Sequence, residues 1–235
     1  MQILIAIHGS HDTTARMNAQ RETWIRRFFS SGSYSLHGIE AHYRYFVGRP
    51  QGSDPDAEYV DFDDAPVWIT EGPVSRRTAV LNIRTRALVR YALERKYDYL
   101  FKCDDDTYIR PHLLLSSGFE SYEYSGQCER HHADDIGWYK YAGGGGGYWL
   151  SRKAMIAVIE SRICHCAEDC NAGQVLARAG IRPQEDDRYR NAVSDHDRRH
   201  PSSEWITLHK CDPEQIRIVH HALFPFPSCQ PAGKM

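Results

Sequence analysis

The stretch Tyr97-Asp98-Tyr99-Leu100-Phe101-Lys102-Cys103-Asp104-Asp105-Asp106-Thr107-Tyr108-Ile109 decides the reading of this chain. Its aromatic and β-branched residues predict a buried strand, which ends abruptly in three consecutive carboxylates. Adjacent like charges beside a core are poorly screened, and such a cluster is stable when it holds a cation. Period-two alternation sends Asp104 and Asp106 to one face and Asp105 to the other. Two carboxylates so spaced suit a hard divalent ion, Mn²⁺ or Mg²⁺, with positions left open for diphosphate oxygens. The alternative is a solvated acidic turn, which would need no buried strand leading into it.

Working outward, Gln2 to Ile7 predicts a buried first strand. The polar turn His8-Gly9-Ser10-His11-Asp12 then leads into a helix from Thr13 or Thr14 to about Phe29. A strand, a polar turn and a helix open a nucleotide-binding α/β unit, with helix amides free for an anion. Strands follow at Ala41–Val47 and Glu58–Phe62, separated by a turn-rich connection. A helix from Val74 to Lys96, after Pro73, delivers the chain into the Asp-rich strand. Beyond it come a short helix at His112–Ser117, a polar stretch, and the run Gly143–Gly147 between aromatic flanks. Such glycines make either a flexible linker or a backbone kept bare for close approach of a ligand. A helix from Ser151 to about Arg162 follows, then Cys164-His165-Cys166-Ala167-Glu168-Asp169-Cys170. Its C-x-C-x₃-C spacing fits no common structural zinc site, so the carboxylates carry more chemical interest than the thiols. A helix from Asp169 stops near Gly180. The charged segment Arg182–Ser203 predicts a mobile loop or lid, and strand character resumes at Trp205–Leu208 before His209.

With 235 residues and 41% hydrophobic content, the chain is sized for one α/β domain spanning 1–235. A formal net charge of -2 excludes the basic field that drives nucleic-acid binding. Basic residues cluster only locally, at Arg21, Arg26 and Arg27 and at Arg76, Arg77, Arg84 and Arg86. No apolar run reaches the roughly 18 residues of a membrane span, and Ile3–Ile7 is too short for a signal-peptide core. Seven cysteines without a regular framework predict reduced thiols.

The pieces, taken in order, resemble the family 31 glycosyltransferases, the β-1,3-galactosyltransferase and Fringe-like group. Arg21-Glu22-Thr23-Trp24 is similar to that group's R-x-[ST]-W, with Arg16 where it has an earlier basic residue. Leu81-Asn82-Ile83-Arg84-Thr85 resembles L-x-x-K-T, and Lys102-Cys103-Asp104-Asp105-Asp106 resembles K-x-DDD. Gly145-Gly146-Gly147-Tyr148-Trp149-Leu150-Ser151 resembles GGGYVLS, Glu168-Asp169-Cys170-Asn171-Ala172-Gly173 resembles E-D-V-x-x-G, and His209 to Glu214 resembles H-x-x-x-P-[EQ]. Cys170 departs from the usual Val, and Tyr139 stands where Pro is common.

The resemblance implies a GT-A fold, α/β with a Rossmann-like nucleotide-sugar-binding unit and a mixed central sheet. It implies an inverting, metal-dependent hexosyl transfer, galactose favoured, from a UDP-sugar to a hydroxyl of a glycan acceptor, giving a β-linkage of the β-1,3 type. Asp104, Asp106 and His209 are then the Mn²⁺ ligands, with Mg²⁺ an alternative. Asp105 reaches the ribose or donor sugar, and Arg21 or Arg16 lines the nucleotide pocket beside Gly145, Gly146 and Gly147. Asp169 is the base, with Glu168 the alternative. The absent anchor points to a cytoplasmic bacterial or viral enzyme, or to a lumenal Golgi domain trimmed of its anchor. Two other readings stand beside this one: a non-catalytic nucleotide-sugar-binding module, and a Mg²⁺-dependent phosphohydrolase using the DDD cluster. The second would want a nucleophilic Asp at the end of the first strand, where Ile7-His8-Gly9-Ser10 supplies none.

Overall fold

The computed structural model describes residues 1–48, 55–60, 76–162, 167–191 and 193–225. Strand β1 (Gln2–His8) is apolar from Ile3 to Ile7 and buried on both faces, as expected of a strand with neighbours on either side. After a 3-10 turn at His11–Thr13, α1 (Thr14–Gln20), a π turn at Arg21–Ile25 and α2 (Arg26–Phe28) replace the single helix predicted there. The break lies at Thr23 (φ -108, ψ -106), whose hydroxyl donates back to Ala19 O at 2.6 Å, and it buries Trp24 completely. Strands β2 (Tyr34–Leu36), β3 (Ile39–Gly48) and β4 (Ala57–Val60) follow. Helix α3 (Arg76–Glu94) leads into β5 (Tyr99–Asp104), the strand of the decisive stretch.

The next elements are β6 (Tyr108–Ile109), α4 (Pro111–Leu115), β7 (Tyr124–Gly126), β8 (Cys128–Ala133), β9 (Gly137–Ala142), β10 (Tyr148–Ser151) and α5 (Arg152–Glu160). The chain closes with α6 (Glu168–Arg178), β11 (Gln184–Glu185), β12 (Tyr189–Arg190), α7 (Asp195–Arg199), β13 (Thr207–Leu208) and α8 (Pro213–Leu223). Predicted residues 49–54, 61–75 and 163–166, among them Pro73, the end of the third strand and the Cys164-His165-Cys166 thiols, lie outside the described residues. Cys103, Cys128 and Cys211 are free thiols.

The expected α/β class with a mixed central sheet is present. Eight strands run in the order β11-β7-β10-β5-β1-β3-β2, with β4 also on β3. The centre is parallel (β5, β1, β3), while β10 pairs antiparallel with both β5 and β7. Alternation along β1 feeds two cores. Ile3, Ile5 and Ile7 pack with Trp24, Phe101 and Trp149, and Leu4 and Ala6 pack with Leu88, Leu100 and Leu150. A smaller sheet, β12-β13-β6, takes up the chain just past the carboxyl end of β5, and the hairpin β8-β9 lies against α6. Among the described residues no helix is long and apolar enough to cross a membrane.

The charged segment 182–203 carries more structure than the expected loop. It contains β11 on β7, β12 on β13, and α7, closed by a Ser194/Asp197 capping box. Each pairing involves two residues and a distant partner, so no local periodicity announces it.

Candidate metal centre

The parallel register of β1 and β5 pairs His8 with Asp104, and the chain turns there through Asp105 and Asp106. From the other side, β13 pairs antiparallel with β6, Leu208 opposite Tyr108, and this register carries His209 to the same spot. Ligand atoms of Asp104, Asp106 and His209 lie within 4.8 Å of one another, a group that could hold a metal ion. His209 Nε2 is 3.1 Å from Asp106 Oδ1 and 4.0 Å from Asp104 Oδ2.

Two features fit this group to a divalent cation. His209 Nδ1 lies 2.9 Å from the Asn191 carbonyl, which can only accept, so Nδ1 holds a proton and Nε2 is the nitrogen turned to the carboxylates, the one that would offer its lone pair to a bound cation. Asp106 Oδ1 is sealed from solvent, with His209 Nε2 beside it at 3.1 Å. Burial lowers the His209 pKa, but Asp106, Asp104 and the Asn191 carbonyl outweigh it and hold it above the ordinary histidine value. Burial likewise opposes ionisation of Asp106, and His209 and Arg16 outweigh it, leaving that carboxyl below its usual range. An imidazole beside two carboxylates is a donor set suited to Mn²⁺ and less typical of Mg²⁺.

The third carboxylate faces away, as alternation predicts. Asp105 is buried, accepts a short bond from the Thr13 hydroxyl, and has Arg16 Nη1 at 3.6 Å. Burial pushes it up to about 6, opposed by the Thr13 bond and reinforced by Asp106. Arg16 also lies 3.7 Å from Asp106 Oδ2, so this arginine borders the site. Arg21 is drawn elsewhere: it forks onto Asp56 at 2.6 and 3.1 Å, meets Asn18 at 3.0 Å and covers the Tyr45 ring. It clamps the π turn to the start of β4.

The glycine run is packed against protein. A Cβ on Gly145 would fall inside the His209 ring, one on Gly146 would meet Asn191 Oδ1, and one on Gly147 (φ +100) would fall inside the Phe101 ring. Gly146 N donates to Asn191 Oδ1 at 2.6 Å, while Thr107 and Thr207 donate to the Gly145 and Gly146 carbonyls at 2.6 Å each. The run is therefore bare because His209, Asn191 and Phe101 occupy the space, which is a different reason from ligand approach.

At the start of α6 the two carboxylates diverge. Glu168 is buried, with Lys102 Nζ at 2.9 Å on one oxygen and the Tyr148 hydroxyl at 2.5 Å on the other. Burial raises its pKa against the pull of Lys102. Asp169 is more open and accepts from two backbone amides, Gly144 N at 2.9 Å and Cys170 N at 2.8 Å.

Three participants went unassigned in the sequence. Asn191 bonds both the glycine run and His209, and no local signal marks it within a charged segment. His8, buried 3.8 Å from Asp104, is held well below its usual pKa by burial, then by Lys102 and Arg84, and is therefore a neutral ring. Lys102 did leave a signal, a lone ammonium inside the apolar run Leu100–Cys103. Compared with known protein families and with curated proteins, the chain matches none.

Proposed function

We propose that the chain is a single-domain, GT-A-type inverting glycosyltransferase of the family 31 kind. It would transfer a hexose, galactose favoured, from a UDP-sugar to a glycan hydroxyl with formation of a β-linkage, β-1,3 favoured. The observation that carries this reading is the convergence of Asp104, Asp106 and His209 Nε2 at the carboxyl end of parallel strands. That is where an open α/β sheet receives a nucleotide ligand.

A bound divalent cation supplies charge stabilisation for the departing diphosphate, an interaction stronger in the transition state than in the ground state. Arg16, at the rim of the site, adds a second positive charge for phosphate oxygens. Asp169 is the base: its carboxylate takes the proton of the acceptor hydroxyl as that oxygen bonds to the anomeric carbon on the face opposite the leaving group. Glu168, held by Lys102 and Tyr148, is committed to structure.

The test is transfer measured with a panel of UDP-sugars and glycan acceptors, with Mn²⁺ and with chelator, for the wild type and Asp106→Ala. Product only with divalent cation, lost in Asp106→Ala, is expected, and an α-linked donor should give a β-glycoside. Saturable UDP-sugar binding without product would instead make the chain a binding module, and full turnover in chelator would remove the cation from the reaction.

A further inference from the structure

Lys102 sits in the middle of β5, 1% exposed, at a position where a strand buried on both faces normally carries an apolar residue. Its ammonium has three partners: Asp104 Oδ1 at 2.8 Å, Glu168 Oε2 at 2.9 Å and the Gly144 carbonyl at 3.2 Å. Burial disfavours its charge, but Asp104 and Glu168 outweigh burial and hold the group protonated. One partner belongs to the cation site. The other two stand at the start of α6 and in the glycine run, and the amide of Gly144 itself donates to Asp169 Oδ2 at 2.9 Å. There is no slack at this junction: a Cβ on Gly144 would lie 2.8 Å from Glu168 Oε2 and 2.9 Å from Lys102 Nζ.

We propose that Lys102 is a positioning residue that couples the cation site to Asp169, through its shared hold on Asp104, Glu168 and the carbonyl of Gly144, the residue whose amide meets Asp169. This rests on the functional reading above for the role of Asp169, while the coupling itself is a property of the fold. The ammonium is divided between two carboxylates. A cation on the Asp104–Asp106–His209 group draws on the charge of Asp104, and the ammonium then bears more strongly on Glu168 and the Gly144 carbonyl. That tightens Gly144, whose own amide, in the preceding peptide unit, orients Asp169. In the opposite direction, a neutral side chain at position 168 leaves the whole ammonium to Asp104, which makes Asp104 a poorer ligand. Reciprocity of this kind is required of any two sites linked by free energy.

The test uses Mn²⁺ alone, without donor, acceptor or turnover. Calorimetric Mn²⁺ affinity is measured for wild type, Glu168→Gln, Lys102→Met and the double variant, and hydrogen exchange at the Gly144 amide is followed with and without Mn²⁺. Glu168→Gln should weaken Mn²⁺ binding on the order of tenfold when Lys102 is present, and by less than about twofold in the Lys102→Met background. Mn²⁺ should slow Gly144 exchange in the wild type and leave it unchanged without Lys102, and Lys102→Arg, which keeps the charge, should restore part of the response. A residue that merely fills space would give equal losses in both backgrounds and an exchange rate indifferent to Mn²⁺, and either result overturns the coupling. Should Lys102→Met leave Glu168 too costly to bury alone, the exchange comparison is made on Lys102→Met/Glu168→Gln, where neither charge is buried unpaired. Coupling observed in a chain that transfers no sugar would leave this inference standing and remove the transferase reading. Transfer with additive Mn²⁺ affinities would do the reverse.

Discussion

At the scale of single residues, the two neighbouring carboxylates of α6 show how burial divides labour. Glu168 is locked between an ammonium and a phenol, whereas Asp169 is bound only by backbone amides and stays accessible. Asp169→Asn preserves shape and can still meet the Cys170 or Gly144 amide through its oxygen, but it cannot take a proton. It should therefore retain Mn²⁺ and UDP-sugar affinity while transfer falls roughly 10²- to 10⁴-fold. Near-normal transfer by this variant, measured in single turnover beside calorimetric binding, would strike Asp169 from the role of base. Asp104 and Asp106 were legible in sequence because charge at the end of an apolar strand is a local anomaly, whereas His209 was joined to them only by the family resemblance. Asn191 was not legible, because its contribution to His209 is made by a backbone carbonyl, which any residue type carries. Arg21 was misleading for a related reason: its salt-bridge partner Asp56 lies in a turn that no periodicity ties to it.

At the scale of elements, strands and helices with strong patterning appear close to their predicted bounds, including β1, β5, α3, α5 and α6. Those that depend on distant partners do not. The exposed strand β8 has an almost wholly solvent-facing pattern, β11 and β12 are two residues each, and β13 keeps only the last two residues of the expected Trp205–Leu208 strand. The glycine run belongs to this scale, since its length was visible and its cause was not. Replacing Gly147, with φ +100 and the Phe101 ring in the way, by Ala should cost ~2–4 kcal/mol of stability. Gly145→Ala should lower Mn²⁺ affinity at least about tenfold by displacing His209. Gly180→Ala is the control: with φ +74 but open space around it, it should lose about 1 kcal/mol and leave Mn²⁺ binding intact. Urea titrations and calorimetry on the three variants check this, and equal Mn²⁺ affinity in Gly145→Ala would mean that the glycine does not set the imidazole's place.

At the scale of the whole molecule, histidines buried in neutral form tie stability to pH. His220, on the last turn of α8, meets the Tyr108 hydroxyl at 2.8 Å, and burial, then Arg27 and His221, bring its pKa to about 4. The unfolded ring titrates near 6.5, so its contribution is complete above that pH, is lost as pH falls from 6.5 toward 4, and changes no further below. The half-exposed ring limits this to ~1 kcal/mol after solvent screening, and the fully buried His8 acts in the same direction. The urea midpoint should fall between pH 7 and pH 5, and by less in His220→Gln; an identical slope in that variant would assign the acid sensitivity elsewhere. The cation site adds an asymmetry in time. Two of its ligands come from the middle of the chain and the third follows directly after β13, roughly a hundred residues later, so the loop between them must close before all three meet. A chain still being synthesised, or one cut short before His209, has only two of the three ligands. A cation held by this group would therefore stabilise finished molecules and pass over unfinished ones, which would make the ion a check on chain completion.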